Sequence, residues 1–228
     1  MKKLSLFVLL AATLTSCYST SYLVEGNYQL RNTTSNASSD VAKTQDGTYT
    51  DEYVTLAPQV GENRINMTIV NNHNSSIRVL WDEAAYIDNR GLSHRVIHMG
   101  VKLIDKEKAQ VPSVIPQGAK IDDVLAPSDG IVNVGGVWTY IPLADNKFTS
   151  QTSAQKVLTS YKTDPYTTET KLLLPIEVNG NKIEYMLSFI GNDFTIKELK
   201  ELDMTNTTYA TTGITLGLAL LAIPLGLL

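Results

Sequence analysis

The sequence has little of what usually stabilises or identifies a small secreted protein. Its 228 residues include one cysteine, so no disulfide can form within the chain and the fold must rest on its hydrophobic core. Its 19 lysine and arginine residues are outnumbered by 23 acidic ones and form no basic cluster. This scarcity of positive charge argues against nucleic-acid binding and against electrostatic docking on anionic lipid.

Motifs of the common enzyme classes are also missing. The chain has no P-loop, no G-x-G-x-x-G dinucleotide fingerprint and no G-x-S-x-G nucleophile elbow. A glycosidase that works through paired carboxylates needs no such motif, but no feature of the sequence indicates one. We therefore predict no catalytic residue, no cofactor and no metal site.

The first 17 residues carry the most specific signal. Two lysines precede an apolar run over residues 4–14, which is typical of a secretory signal peptide. The run ends in Leu14-Thr15-Ser16-Cys17, which resembles the lipobox of bacterial lipoproteins: an aliphatic residue, a small one, Gly/Ala/Ser, then Cys. All four positions match. The alternative is an ordinary signal peptide that happens to end near a cysteine.

The resemblance implies that the Cys17 thiol is alkylated with diacylglycerol and becomes the mature N-terminus. Two or more acyl chains anchor a protein stably, whereas one binds marginally. Lipidation would also explain a lone cysteine in a secreted protein. In lipoproteins the residue after the cysteine influences sorting. Here it is Tyr18, not the aspartate linked to inner-membrane retention, which favours the outer membrane.

Residues 17–228, the 212 residues that would remain after cleavage, have the size of one large domain or two small ones, and 17 basic against 23 acidic residues give them a net charge of −6. Short alternating segments recur between turn signals. The clearest segment is residues 64–71, with Ile65, Met67 and Ile69 on one face. We predict a mainly β fold, an antiparallel β-sandwich over residues 22–204. Its layout looks like small Ig-like domains of envelope lipoproteins, a likeness of architecture alone.

Several local predictions follow from turn residues and polarity. Residues 17–21 form a polar tether, and residues 32–47 form an exposed loop. Residues 64–71 and 77–81 pair as a hairpin, residues 131–134 pair with 137–141, and Asn179-Gly180 turns residues 172–178 onto 182–190. Pro175 indicates an edge strand or a bulge. Residues 149–161 are compatible with a helix, and residues 197–204 with a short charged helix.

The C-terminal segment is the second unusual feature. Residues 213–228 carry no charge, and a helix that starts at Tyr209 would span roughly 30 Å, enough for the hydrocarbon core of a bilayer. We predict a membrane-inserted apolar helix over residues 209–228; a helix buried in the protein core is the alternative. Gly213 and Gly217 form a GxxxG motif, which is compatible with self-association. No charge fixes the direction of insertion.

If the protein were eukaryotic, the signal segment and the apolar C-terminal segment would have another interpretation. A signal peptide with an apolar C-terminal tail also precedes GPI anchoring, in which the tail is removed. Five Asn-x-Ser/Thr sequences are compatible with this alternative, but such matches arise by chance in a chain rich in these residues: Asn32, Asn36, Asn66, Asn74 and Asn206.

Two groups of side chains could bind a metal or a ligand. His94 and His98 have the spacing of metal ligands on a helix, but Val96 and Ile97 favour a strand, on which the imidazoles would lie about 13 Å apart. We expect exposed or hydrogen-bonded histidines instead. Asp82, Glu83 and Asp88 lie near Trp81 and Tyr86, a composition that calcium or sugar sites use. For this group, and for Asp122 and Asp123, we expect solvated acids at strand ends.

These observations predict a lipid-anchored protein of the bacterial cell envelope, with outer-membrane localisation. Its partner is the lipid bilayer, through acyl chains on Cys17 and through residues 209–228. A protein partner or a second copy of the chain is a further candidate, and nucleic acid is not. We expect a non-catalytic role in binding, adhesion or assembly. The alternatives are a cell-surface hydrolase acting on glycan or peptide, a membrane-active oligomer, and a GPI-anchored eukaryotic surface protein.

The first prediction concerns the lipid. Substituting Cys17→Ala removes the thiol that would carry diacylglycerol, so we expect incorporation of labelled fatty acid to be abolished and maturation to slow. Both are measured by metabolic labelling followed by electrophoresis. Labelling that persists unchanged in the variant would remove the basis of the lipoprotein assignment.

Overall fold

The computed structural model of the protein describes residues 18–43, 46–141, 143 and 146–202. The signal segment 1–16, Cys17 and the apolar segment 209–228 lie outside the described residues. Within them the protein is mainly β, as predicted, with this order of elements: β1 (Tyr18–Ser35), β2 (Ser38–Lys43), β3 (Tyr49–Thr50), β4 (Val54–Val60), β5 (Ile65–Asn71), β6 (Ile77–Val79), β7 (Ala85–Ile87), β8 (Ser93–His98), β9 (Ser113–Ile115), β10 (Lys120–Pro127), β11 (Ile131–Val134), β12 (Val137–Tyr140), β13 (Lys147–Phe148), α1 (Gln151–Thr163), β14 (Thr170–Val178) and β15 (Asn181–Leu202).

The strands pair antiparallel in one long path that folds back on itself, in the order β13-β1-β15-β14-β7-β8-β10-β5-β4-β3. Strand β8 connects the two halves of this path, one ending at β7 and the other beginning at β10. Its residues 93–95 pair with β7, and its residues 96–98 pair with β10. Side chains of β4, β5 and β10 share one buried core with those of β14 and β15. Two sheet halves that face each other across a common core are consistent with a β-sandwich.

The inward faces predicted from alternation are confirmed. In β5 every second side chain is buried, and the same holds along the first half of β15. Trp81, on the short 3-10 helix after β6, is fully buried. The following apolar side chains of β5 and β15 belong to the common core: Ile65, Met67, Ile69, Ile183, Tyr185, Leu187 and Phe189.

The longest element is a two-stranded ribbon of β1 and β15. It pairs Tyr18 with Leu202 at one end and Ser35 with Tyr185 at the other. The predicted tether 17–21 was wrong for residues 18–21, which lie in β1, and the predicted charged helix 197–204 is strand up to Leu202. The predicted loop 32–47 instead contains the end of β1 and strand β2, which pair with each other. Backbone hydrogen bonds between the strands stabilise these polar stretches. Such pairing does not require apolar side chains, so the sequence shows no hydrophobic alternation there.

The predicted hairpin of residues 64–71 and 77–81 was also wrong. Strand β5 pairs with β4 and β10, whereas β6 pairs with β14 and β9, so the two strands lie in different halves of the path. Asn71 stabilises the connection between β5 and β6. Its side-chain amide donates to the carbonyls of Ser75 and Ile115, at 2.8 and 2.9 Å, and its side-chain oxygen accepts from His73 N. A buried polar side chain therefore replaces the expected tight turn.

Two other turns are as predicted. Residues 131–134 pair with residues 137–140 across Gly135-Gly136. Asn179 and Gly180 both have positive φ values, 51° and 80°, as the turn between β14 and β15 requires. Pro175 does not mark an edge, because β14 has neighbours on both sides. Pro175 lies between the segment of β14 that pairs with β7 and the segment that pairs with β6. Its carbonyl accepts a hydrogen bond from Leu80 N. Because neither pairing includes Pro175, the N–H that proline lacks is not needed there.

A bulge in the ribbon carries a second, smaller core. Two residues of β15, Asp193 and Phe194, oppose Gly26 alone, and Asp193 has a φ of 53°. The Phe194 ring lies over Gly26 and Gly191, where an added Cβ would stand 2.5 and 2.2 Å from ring atoms. Helix α1 lies near residues 149–161, where the sequence allowed one. It covers the ring with an apolar face made of Ala154, Val157, Leu158 and Tyr161.

The contact between Phe194 and the glycines generates a stability prediction. Gly191→Ala forces the ring away from helix α1, and we expect the free energy of unfolding to fall by about 1–3 kcal/mol. Gly61→Ala is the matched control, because its nearest neighbour would be a backbone oxygen at 3.3 Å and no aromatic ring is displaced. Chemical denaturation followed by circular dichroism measures both. Equal losses in the two variants would contradict this description of the bulge.

Candidate functional site

The two ends of the described chain lie side by side. Tyr18 pairs with Leu202, Ser19 with Glu201 and Thr20 with Lys200, at the free end of the ribbon. Paired Cα atoms in an antiparallel sheet are about 5 Å apart, and consecutive Cα atoms are about 3.8 Å apart. The Cα atoms of Tyr18 and Leu202 are therefore about 5 Å apart. Among residues 18–43, 46–141, 143 and 146–202, no helix is long and apolar enough to cross a membrane.

The two histidines lie on a strand, as expected, and each is hydrogen-bonded to carboxylates. His94 Nδ1 lies 2.6 Å from Asp129 Oδ2, and its Nε2 lies 3.5 Å from Asp88 Oδ2. Asp88 also accepts hydrogen bonds from Arg90 and from the backbone N–H of Leu92. Burial favours the neutral form of Asp88, but these bonds outweigh it and hold the pKa of Asp88 below its ordinary value.

His98 belongs to a different buried cluster because β8 changes sheet halves between the histidines. Its Nδ1 lies 3.0 Å from Asp123 Oδ2, and its ring stacks on that of Trp81 with centroids 4.5 Å apart. Asp123 Oδ1 accepts from Met99 N and Val124 N. Trp81 Nε1 donates to Ser113 Oγ at 2.8 Å. These internal partners give the cluster a structural explanation.

The acids near Trp81 do not converge on a common point. Asp82 pairs with Arg95 at 2.6 Å, Glu83 with Lys182 at 2.8 Å, and Asp88 with Arg90 at 2.8 Å. Burial opposes ionisation of Asp82, but the backbone N–H of Gln110 and the Arg95 guanidinium hold its pKa below the ordinary value. In the described part of the chain no three His, Cys, Asp or Glu side chains are arranged to hold a metal ion.

Of the second predicted acidic pair, only one member is solvated. Asp122 is exposed, accepts a hydrogen bond from Thr68 at 2.5 Å and lies 3.3 Å from Lys120. Asp123 is buried and paired with His98, because alternate residues of β10 point to opposite faces. The expectation of solvated acids was therefore right for Asp122 and wrong for Asp123.

A cavity of about 330 Å³ opens beside the ribbon bulge. One wall is formed by residues 23–28 of β1 together with Asp193 and Thr195 of β15, and the opposite wall by residues 60–62, which connect β4 to β5. The volume lies within the range of small-molecule sites. No lysine, arginine or histidine is among the residues that line it.

Carboxylates surround the mouth of this cavity. Glu25, Glu62 and Asp193 all line it; Glu62 and Asp193 are exposed, and the side chain of Glu25 is 40% exposed. Glu25 lies 3.6 Å from Lys197, which is not a lining residue. Within the described residues, neither Glu62 nor Asp193 has an ion-pair partner. Three carboxylates at the mouth are therefore balanced by one lysine outside the cavity.

Hydroxyl groups form the buried inner wall. Tyr86 and Thr170 are 2% and 1% exposed, and Tyr28 is largely buried. Burial, together with the nearby Tyr161 hydroxyl, raises the pKa of Tyr28 to about 12, although Asn146 partly opposes the shift. Burial also raises the pKa of Tyr86, and the neighbouring Thr170 hydroxyl partly opposes that shift. Both phenols therefore stay protonated at neutral pH and can donate hydrogen bonds.

Sequence reasoning missed the cavity residues. They come from six segments that are distant in sequence, and the sequence analysis names only Tyr86, as a neighbour of the acidic group. The bulge is indicated by no motif, although Gly26 and Gly191 are glycines within strands, which often mark close backbone approach. Comparison adds no candidate residues: no protein-family model matches the chain, and no curated protein or solved structure matches it.

The carboxylate of Asp88 generates a pH prediction. We expect Asp88→Asn to lower the free energy of unfolding at pH 7 by about 2 kcal/mol, because hydrogen bonds to a charged acceptor are lost. Asp88 has a folded pKa below its unfolded value of about 3.9, so its contribution is fully present above that value. It is lost as the pH falls through the folded pKa.

Denaturant titrations of both proteins between about pH 7 and pH 2 measure this effect. Asp129→Asn is the control, since this partner of the same histidine is 62% exposed and should change stability by no more than about 1 kcal/mol. A difference between Asp88→Asn and the parent protein that is unchanged at the acid end would contradict the assignment.

Proposed function

We propose that the protein is a bacterial envelope lipoprotein, held at the outer membrane by acyl chains on Cys17 and by the apolar segment 209–228. Its role is non-catalytic: binding, adhesion or assembly of an envelope complex. The observation that carries the proposal is the pairing of Tyr18 with Leu202. The two sequence features that each predict membrane attachment are continuous in sequence with the two strands that pair at this end of the ribbon.

The distances support attachment to a single membrane. Cys17 directly precedes Tyr18, and six residues, 203–208, separate Leu202 from the apolar segment. Six extended residues span at most about 20 Å, so the segment can enter the bilayer that holds the acyl chains. The ribbon end is polar and exposed at Lys197, Glu198 and Lys200. It would therefore extend through water between the membrane and the folded body.

A cell-surface hydrolase is the second candidate, and the carboxylates at the cavity mouth favour it. Two carboxylates on either side of a sugar linkage can hydrolyse it. The histidine-carboxylate pairs do not add to this case, because neither histidine lines the cavity and no hydrogen bond joins His98 to the Ser113 hydroxyl. Binding remains the preferred function because no nucleophile, base and orienting acid are aligned in the described residues.

Three further proposals concern the topology of the sheet, self-association and the C-terminal anchor. The first is that the mainly antiparallel β architecture has an Ig-like topology. Self-association through Gly213 and Gly217 would support a membrane-active oligomer. A GPI-anchored surface protein would lack residues 209–228 and would carry glycan. The mass of the protein extracted from membranes distinguishes the last alternative from a lipoprotein that retains its tail.

The test removes the two attachments separately and together. The variants are Cys17→Ala behind a cleavable non-lipoprotein signal peptide, deletion of residues 213–228, and both changes. We expect each single variant to stay in alkali-washed membranes, since either attachment is sufficient, and the double variant to become soluble. Fractionation and immunoblotting measure the distribution.

Two outcomes would contradict the proposal. Release by the tail deletion alone would show that Cys17 carries no functional lipid. Retention of the double variant would show that another surface of the protein holds it to the membrane. Loss of an oligomer, or of vesicle leakage, on deletion of residues 213–228 would favour the membrane-active alternative over a second anchor.

A further inference from the structure

We propose that the hairpin of β11 and β12 inserts its tip into the headgroup region of a zwitterionic lipid bilayer. The inference rests on the proposed membrane localisation, and it adds a contact that neither Cys17 nor the segment 209–228 provides. The surface itself does not depend on those attachments, because both strands and the turn between them belong to the described part of the chain.

The hairpin segment is free of charge. Residues 131–141 read Ile-Val-Asn-Val-Gly-Gly-Val-Trp-Thr-Tyr-Ile and contain no lysine, arginine, aspartate or glutamate, although 18% of the whole chain is charged. A segment without ionised groups avoids the large desolvation cost of moving a charge towards lipid. Tryptophan and tyrosine are enriched at the membrane–water interface, because each combines an apolar ring with a polar N–H or O–H.

The structure leaves the apolar tip of this hairpin exposed. Strands β11 and β12 form a two-stranded sheet of their own, outside the long path of the main sheet. Val137, Trp138 and Ile141 are 66%, 37% and 46% exposed. Val137 and Trp138 are consecutive in a strand, so their side chains point to opposite faces of the hairpin. A tip that is apolar on both faces fits insertion into lipid better than packing against one protein surface.

The base of the hairpin is fixed to the folded body. Ile131 is fully buried in a small cluster with Ile97 and Ala126, and Tyr140 packs against the same cluster. Lys106 Nζ donates a hydrogen bond to the carbonyl of Ile131 at 2.7 Å. The fold therefore buries the apolar residues at the base and holds those at the tip in solvent.

The turn at the tip has a defined conformation in the free protein. Gly135 and Gly136 have positive φ values of 60° and 86°, and the Asn133 side-chain oxygen accepts a hydrogen bond from Gly136 N at 3.0 Å. A preorganised contact loses little conformational entropy on binding. The free edges of the two strands carry backbone groups that cannot enter hydrocarbon without partners, so insertion stops at the headgroup region.

The hairpin lies close to the ribbon that is proposed to reach the membrane. The chain runs five residues from Ile141 to Asn146, whose carbonyl accepts a hydrogen bond from Val24 N at 2.9 Å. Five residues span at most about 18 Å, and β1 covers about 20 Å from Val24 to Tyr18. The tip and the ribbon end are therefore close enough to contact one bilayer when the ribbon is inclined to its surface.

The net charge of the protein selects the kind of lipid. The chain carries a formal net charge of −4, so an anionic bilayer would repel it. A zwitterionic bilayer has no net charge and would accept the uncharged tip through apolar contacts and through the aromatic rings. The surface therefore fits zwitterionic lipid and provides no basic patch for anionic lipid.

Quenching of tryptophan fluorescence by brominated lipid tests the proposal in the full chain. The protein has two tryptophans, and Trp81 is fully buried, so Trp138 alone reports the environment of the tip. The chain is reconstituted into phosphatidylcholine vesicles with and without bromine near the headgroup end of the acyl chains. We expect brominated lipid to quench the fluorescence of the parent protein, and we expect this quenching to be abolished in Trp138→Phe.

Two further variants locate the contact. Val137→Ser removes apolar surface from the tip and should shift the equilibrium between the inserted and the free tip about tenfold towards the free state, so that quenching falls. Val111→Ser is the matched control, because it makes the same change at an exposed valine outside the hairpin. It should leave the quenching unchanged. Circular dichroism checks that both variants keep the fold.

The outcomes that overturn the proposal are specific to the hairpin. Absence of Trp138 quenching in protein that floats with the vesicles would refute it, and so would an equal loss of quenching in Val137→Ser and Val111→Ser. Shielding of Trp138 that depends on protein concentration and not on lipid would assign the tip to a second copy of the chain instead.

Vesicle flotation reports the anchoring proposal separately. If the chain does not float, the proposed anchoring is wrong, and the hairpin is tested with a histidine tag in place of residues 1–17. This chain is tethered to phosphatidylcholine vesicles that contain nickel-chelating lipid, and the quenching is measured again. Quenching there would support the hairpin contact without the native anchors, and its absence would refute the contact.

Discussion

The structure depends on the pairing of the first described strand with the last. Strands β1 and β15 hydrogen-bond from Tyr18–Leu202 to Ser35–Tyr185, so the two ends of the described chain close the fold together. Forming so many contacts between residues distant in sequence is entropically expensive, and the inner half of the ribbon offsets this by burying side chains in the common core. At the outer end of the ribbon, Lys197, Glu198 and Lys200 are exposed.

The same ribbon creates the cavity through one irregularity. The extra residue at Asp193–Phe194 turns the Phe194 ring towards helix α1 and leaves Asp193 at the cavity mouth. The carboxylates that line the cavity differ from those in the buried polar clusters of β8. The aspartates next to His94 and His98 have internal donors, whereas Glu62 and Asp193 have no ion-pair partner among the described residues.

Sequence patterns predicted the local features and missed the long-range ones. The buried face of β5 and the Asn179-Gly180 turn depend on alternation and on positive φ, which are properties of adjacent residues. The hairpin of residues 64–71 and 77–81 was wrong because the partners of β5 are β4 and β10, and turn residues alone do not specify partners. The predicted loop over residues 32–47 was wrong for residues 32–35 and 38–43, because polar strands lack hydrophobic alternation. The cavity could not be predicted, since Glu25, Glu62, Thr170 and Asp193 meet only through the completed topology.

The central claim, that one end of the ribbon faces the membrane, has a direct test. Lys200 and Lys182 are exposed residues of the same strand, 18 positions and up to roughly 60 Å apart. A nitroxide is attached to Lys200→Cys or to Lys182→Cys in the full chain, in which the proposed acylation of the single native cysteine would leave one free thiol. In vesicles with gadolinium-chelating lipid head groups, strong relaxation enhancement at residue 200 and little at residue 182 is predicted. Equal enhancement at the two sites, or a stronger effect at residue 182, would contradict it.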